Sequence, residues 1–262
     1  MAPILAGSAH TIVAYDIDPV RAGLAKRAGY WAEATDVASQ EVVIFALRGP
    51  TDVRAVAAER FKAGGLVIDT TSIDPQTAIE AARAVGANGA AYLEAPVLGG
   101  PPQAGRWVFL FGGDDAVVKR AAGILAPLGD GDRFGDVGRG SEAKLLNNIL
   151  TGVHGAAVGE VVRIALKRKV DLEALQRAIM RSESAGRNPV LDVRVPKILS
   201  GSLQDTFSID NETKDLDLAI AFFGDSDALE FTRATHRIYR EAQENGWGAR
   251  DIGRLFEADR PA

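Results

Sequence analysis

SEAKLLNNILTGVHGAAVGEVVRIALKRK, residues 141–169, is the stretch on which the fold reading turns. It predicts one helix of nearly thirty residues, roughly 40 Å long at 1.5 Å rise per residue. Ser141 is the expected N-cap with Glu142 in the first turn, and the closing KRK complements the C-terminal dipole. Gly152, Gly155, Ala156 and Gly159 cluster on one side, which permits close approach of another helix. That helix can come from a partner subunit or from the chain's own C-terminal helices. Lys144 and Asn148 lie four residues apart and so share a face. Their neighbours Leu145, Leu146, Ile149 and Leu150 are core residues, whereas paired asparagines are poor helix formers. In the plain reading Lys144 snorkels to solvent and Asn147 and Asn148 bond to nearby backbone. In the other reading the polar pair meets a ligand.

Outward from this helix the chain has two grammars. Before about residue 138, short apolar runs alternate with amphipathic, alanine-rich stretches. TIVAYD (11–16), EVVIFAL (41–47), GLVIDT (65–70), AAYLEAPV (90–97) and WVFLFGG (107–113) read as buried strands. PVRAGLAKRAG, TDVRAVAAERF and DPQTAIEAARAVGANG read as the helices between them. Such alternation predicts an α/β domain with a parallel sheet covered by helices on both faces. Ligands of these sheets bind beyond the carboxyl ends of the strands, where Asp16, Leu47–Pro50 and the Thr70–Ser72 turn fall, Thr71 included. After Gly140 the strand signals stop. DLEALQRAIMRS, PVLDVRVPKILSG, NETKDLDLAIAFFGD and LEFTRATHRIYREAQENG predict further helices. The expected organisation is a domain over 1–138 and an all-helical domain over 139–262 that begins with the long helix.

Composition narrows the function. The 262 residues are 47% hydrophobic and 25% charged, an ordinary globular balance. A net charge of −5 offers no basic footprint for nucleic acid or an anionic membrane. There is no cysteine, and the three histidines are far apart, so no metal site is expected. No apolar run approaches the roughly 20 residues that span a bilayer. A cytoplasmic protein is the expectation.

Four short segments in order resemble the β-hydroxyacid dehydrogenases, the family of 3-hydroxyisobutyrate dehydrogenase and relatives of 6-phosphogluconate dehydrogenase. YLEAPVLGGPPQAG (92–105) resembles the family's substrate-binding motif, an acidic residue followed by A-P-V-S-G-G. GRGSEAKLLNN (138–148) resembles its catalytic motif, DTTSIDP (69–75) its D-x-S-T-I-x-P turn, and TKDLDLA (213–219) its K-D-L segment. The ending REAQENGWGARDIGRLFE also follows the family pattern. The resemblance implies a Rossmann-type domain, Lys144 as the catalytic lysine, and Leu98, Gly99, Gly100 and Asn148 at the substrate. It implies Asp16, Leu47, Thr71 and Lys214 at a nicotinamide cofactor, with a small-molecule substrate and a homodimer or homotetramer as the assembly. Each segment also has a plain reading. Gly99 and Gly100 suit any strand-to-loop turn, Asp16 and Asp18 suit helix capping before Pro19, and Lys214–Asp215 suits an exposed charge pair. Ile17 and Asp18 supply no arginine for a 2′-phosphate, which favours NAD over NADP.

The reaction so implied is hydride transfer between a small β-hydroxy acid, or its semialdehyde, and the nicotinamide, with Lys144 moving the hydroxyl proton. The chain departs from the family pattern in two places. Met1 aligns beyond the glycine loop, so roughly fourteen residues carrying the first strand and G-x-G-x-x-G are expected upstream. A misplaced start or a truncation explains this, and a chain beginning here is expected to bind NAD weakly. Leu98 stands where the family has serine, and Arg48 where it commonly has proline, so the substrate is expected to be larger or more apolar than 3-hydroxyisobutyrate. An imine reductase of the same architecture, or a non-catalytic member without cofactor binding, are the competing readings.

Overall fold

A computed structural model describes residues 1–8, 10–182, 186–224 and 229–258. Packing divides the chain into two units, Met1–Lys144 and Leu145–Ala262.

In the first unit, three strands, β1 (Val42–Phe45), β2 (Leu66–Asp69) and β3 (Ala91–Glu94), run parallel in sequence order. A parallel neighbour requires a crossover, and helices α4 (Pro50–Ala57) and α5 (Pro75–Gly86) provide it. Three shorter helices precede them: α1 (Ala2–Ala6), α2 (Pro19–Arg27) and α3 (Ala34–Ala38). Asp-Pro pairs start two of these helices. Asp18 accepts the Val20 N–H at 2.8 Å ahead of Pro19, and Asp74 accepts the Thr77 N–H at 2.9 Å ahead of Pro75.

The sheet is dominated by parallel pairs, as expected, and also contains antiparallel ones. Strand β5 (Trp107–Gly112) runs antiparallel to β3 and to the short β4 (Val97–Leu98), then parallel to β6 (Gly129–Gly135). Only eight residues separate β4 from β5, too few for a parallel crossover, so the chain must fold back. Helix α6 (Asp115–Leu125) makes the crossover to β6. Strand β6, GDGDRFG, has a composition that hides it, because Gly and Asp are depleted in strands.

TIVAYD is also not a strand. Ala14 donates to Tyr30 O at 2.6 Å and accepts from Ala32 N at 3.0 Å, giving one isolated bridge to Trp31. Its residues are suited to extended backbone, but a strand also needs a partner along its length, and β1 pairs with β2 alone among the described residues. Apolar side chains fill both faces of the sheet. Phe45, Val53, Ala78 and Val85 pack on one, and Leu5, Leu93, Phe109 and Leu125 on the other.

Helix α7 (Arg139–Arg168) is the thirty-residue helix. It begins two residues before Ser141, whose side chain faces a buried carboxylate instead of capping. Against the sequence expectation, α7 is long and apolar enough to cross a bilayer, a property that core helices of globular proteins share. In the second unit it is joined by α8 (Leu172–Arg181), α9 (Pro189–Leu199), α10 (Ile209–Phe222), α11 (Glu230–Glu244) and a 3-10 helix, Ile252–Glu257. Asp225, at the end of NETKDLDLAIAFFGD, lies outside the described residues. The glycine face of α7 is occupied within the chain. Gly152 meets Glu212 and Leu216, Gly155 meets Tyr239, and Gly159 meets Leu255. That face is therefore no argument for a second subunit.

Candidate active site

Lys144 is the last residue of the first unit. It is buried, and its Nζ donates to the Val97 carbonyl at 2.8 Å. The plain reading, a lysine snorkelling to water, is thereby corrected. Val97 and Leu98 form β4, which runs directly into Gly99 and Gly100, so Lys144 and the expected substrate residues come together. Gly99 has φ +110°, and a Cβ there would press on the Trp107 ring at 2.9 Å, so only glycine fits. Gly100 is engaged on both sides: its N–H donates to Gln103 Oε1 at 2.9 Å, and its carbonyl accepts from Trp107 Nε1 at 2.8 Å.

The same segment holds a carboxylate that the sequence-based set omits. Glu94 is 1% exposed. It accepts the Gly138 and Gly140 N–H groups at 2.6 and 2.7 Å, the Ser141 N–H at 3.2 Å and the Ser141 Oγ–H at 2.6 Å. Burial raises its pKa, and these four donors act in the opposite direction. Room for it comes from Gly112, its cross-strand partner, where any Cβ would overlap the carboxylate. An acidic residue closing the apolar strand AYLE was the available signal.

In the second unit, Asn148 is also buried. Its Nδ2 donates to Asp215 Oδ2 at 2.6 Å, and its Oδ1 accepts from Asn147 Nδ2 at 3.1 Å. Asp215 takes the Lys214 ammonium on its other oxygen at 2.5 Å. Lys214 and Asp215 are therefore not an exposed charge pair, because Asp215 is only 2% exposed.

Of the expected cofactor residues of the first unit, Leu47 and Thr71 follow the ends of β1 and β2, whereas Asp16 follows no strand. Thr71 Oγ1 accepts the Leu47 N–H at 3.1 Å, tying the turn after β2 to the turn after β1. Beneath it, Asp69 accepts the Thr71 N–H at 2.8 Å and the Tyr92 hydroxyl at 2.9 Å. Burial pushes the Asp69 carboxyl up to about 6 despite these bonds. Asp16 is half-buried and accepts the Asp18 N–H at 2.9 Å, while Asp18 itself caps α2. Arg48 is exposed and grips Asp52 at 2.8 Å through Nε and 3.2 Å through Nη2.

Two family models account for nearly the whole chain. The NAD-binding domain of 6-phosphogluconate dehydrogenase matches residues 1–138, and the NAD-binding domain of NADP-dependent 3-hydroxyisobutyrate dehydrogenase matches residues 138–258. The chain belongs to the β-hydroxyacid dehydrogenase family. Among this family's members, L-threonate dehydrogenase of Cupriavidus necator is 32% identical over 80% of this chain and 70% of its own length. The 2-(hydroxymethyl)glutarate dehydrogenase of Eubacterium barkeri is 27% identical over 85% of this chain and 74% of its own. A solved 3-hydroxyisobutyrate dehydrogenase of Salmonella typhimurium shares the fold, with a TM-score of 0.87 at 22% identity over 98% of this chain and 94% of that one. As a family member the chain is an NAD(P)-dependent, dehydrogenase-type oxidoreductase.

Proposed function

We propose that the protein oxidises a small β-hydroxy acid, or reduces the corresponding semialdehyde, with Lys144 as the proton shuttle. The observation that carries this reading is the buried Lys144 Nζ, 2.8 Å from the Val97 carbonyl and beside the Leu98–Gly100 segment. A bound nicotinamide supplies the hydride acceptor for oxidation or the hydride donor for reduction. During oxidation the substrate carbon loses a hydride and its hydroxyl loses a proton, which the neutral Lys144 amine takes up. In reduction the ammonium polarises the carbonyl oxygen and returns the proton. Asn148 orients the substrate by hydrogen bonding, held in its own rotamer by Asp215. The family resemblance assigns Lys214, which pairs with Asp215, to the nicotinamide.

The residues present suit the cofactor. Asp16 offers a carboxylate to ribose hydroxyls, and Leu47 and Thr71 form one hydrogen-bonded ledge at the carboxyl ends of β1 and β2. NAD is preferred over NADP because Asp16 and Asp18 repel a 2′-phosphate and Arg48 is held by Asp52. The relatives' names speak of 2-(hydroxymethyl)glutarate, L-threonate and 3-hydroxyisobutyrate, acids that share a β-hydroxyl. Leu98 in place of serine favours a more apolar substituent at that segment. Leu146, Leu150, Val161 and Ile164 expose apolar surface along α7, which supports a homodimer or homotetramer. A cytoplasmic location is part of the same proposal.

A panel of β-hydroxy acids and semialdehydes with NAD and NADP tests the reading. Turnover that exceeds a Lys144→Ala control supports it. Equal rates in the two proteins refute it.

A further inference from the structure

We propose that Glu94 is a positioning residue that fixes Lys144 by anchoring the first turn of α7. The inference rests on the proton-shuttle reading of Lys144 and extends it to a residue outside that set.

Two short segments are fastened to each other twice. Glu94 binds the backbone at Gly138, Gly140 and Ser141, and three residues further on Val97 O accepts from Lys144 Nζ. The first fastening is charge-assisted and buried. A carboxylate at a helix N-terminus meets amides that have no partner inside the helix. The second fastening is one neutral acceptor for one ammonium. The lysine tip sits at the end of a flexible four-carbon stem, so its location depends on where the helix places its Cα. Glu94 sets that placement, because Gly138–Ser141 lie within one or two turns of Lys144. The close approach is built in on the strand side as well. Gly112 faces Glu94 across the sheet, and at Gly140 a Cβ would collide with the Leu110 carbonyl. Glutamine at position 94 keeps the volume but replaces one acceptor oxygen with a donor group, which faces backbone N–H groups that also donate.

The test labels lysine amines of the full-length protein with trinitrobenzenesulfonate and reads each site by peptide mass spectrometry. In Glu94→Gln, Lys144 is expected to react about tenfold faster than in the wild type, the equivalent of one lost charge-assisted hydrogen bond. Exposed Lys119 serves as the internal reference and keeps its rate. With the hydroxy acid found by the panel, kcat falls roughly 10- to 100-fold while KM stays within about twofold, as for a misplaced catalytic group. Unchanged Lys144 labelling in folded Glu94→Gln overturns the proposal. So does an equal rise at Lys119 and Lys144, which reports general loosening. If Glu94→Gln does not fold, Ser141→Ala removes one donor to the same carboxylate and is expected to raise Lys144 labelling about two- to threefold. No rise there also overturns the proposal. If Lys144→Ala keeps full turnover, the shuttle reading falls by itself, because labelling measures the anchoring without reference to the reaction.

Discussion

Asn148 and Asp215 lie 67 residues apart in the chain, yet their side chains meet at 2.6 Å inside the second unit. The carboxylate decides which way the amide points. Asn148 must turn its NH2 group toward Asp215, which leaves its carbonyl oxygen to the Asn147 amide at 3.1 Å. A side chain that looks like a helix defect in sequence is thus held in one rotamer by two polar neighbours.

Asp215→Ala is expected to lower stability by about 1–3 kcal/mol, since it leaves the buried Asn148 amide without its acceptor. Asp215→Asn, which still offers an acceptor oxygen, should cost less. Thermal unfolding of both variants measures this. Two variants of equal stability would refute the pairing argument.

Gly112→Ala places a methyl group on the Glu94 carboxylate, which cannot retreat because four donors hold it. The expected loss is about 1–3 kcal/mol, the usual range for overpacking. Urea denaturation of Gly112→Ala and of Gly123→Ala, whose Cβ would meet no neighbouring atom, provides the contrast. The second variant should match the wild type or exceed it.

Asp69 gives a pH signature with a defined sign. Burial raises its pKa from 3.8 to about 6, so folding favours the protonated form. The stability this contributes is fully present below the unfolded value and is lost as pH rises from about 4 to about 6. Wild type measured against Asp69→Asn should therefore lose on the order of 2 kcal/mol across that window. A flat difference would contradict a carboxyl whose pKa burial has raised.

Asp251 has the opposite sign. Burial works to raise its pKa, but the Arg194 guanidinium at 2.7 Å and the Gly253 and Phe207 N–H groups outweigh it, and the pKa ends below 3.8. Its contribution is present above the unfolded value and is lost as pH falls through the folded one. Asp251→Asn should thus be destabilised at pH 7 and lose less than the wild type on acidification. Equilibrium unfolding at pH 7 and below pH 4 makes the comparison.

Local patterns carried much of this structure. Asp-Pro pairs at 18–19 and 74–75 start helices because the capping oxygen and the fixed φ act within a few residues. The pairing of strands is not local. TIVAYD has the residues of a strand and lacks the partner, while GDGDRFG lacks the residues and gains β5 beside it. The site divides in the same way. Lys144 and Asn148 were visible as polar residues in an apolar helix. Glu94 and Asp215 were legible only as charges, since their roles depend on which distant amides they meet.

The four glycines of α7, Gly140, Gly152, Gly155 and Gly159, each lower helix propensity by about 1 kcal/mol relative to alanine. Such a helix is poorly stable as an isolated peptide and takes its order from the side chains that fill the glycine gaps, Tyr239, Leu216 and Leu255 among them. The familiar engineering remedy of exchanging helical glycine for alanine therefore reverses its effect here. Each exchange would strengthen the isolated helix and wedge it away from the rest of the protein.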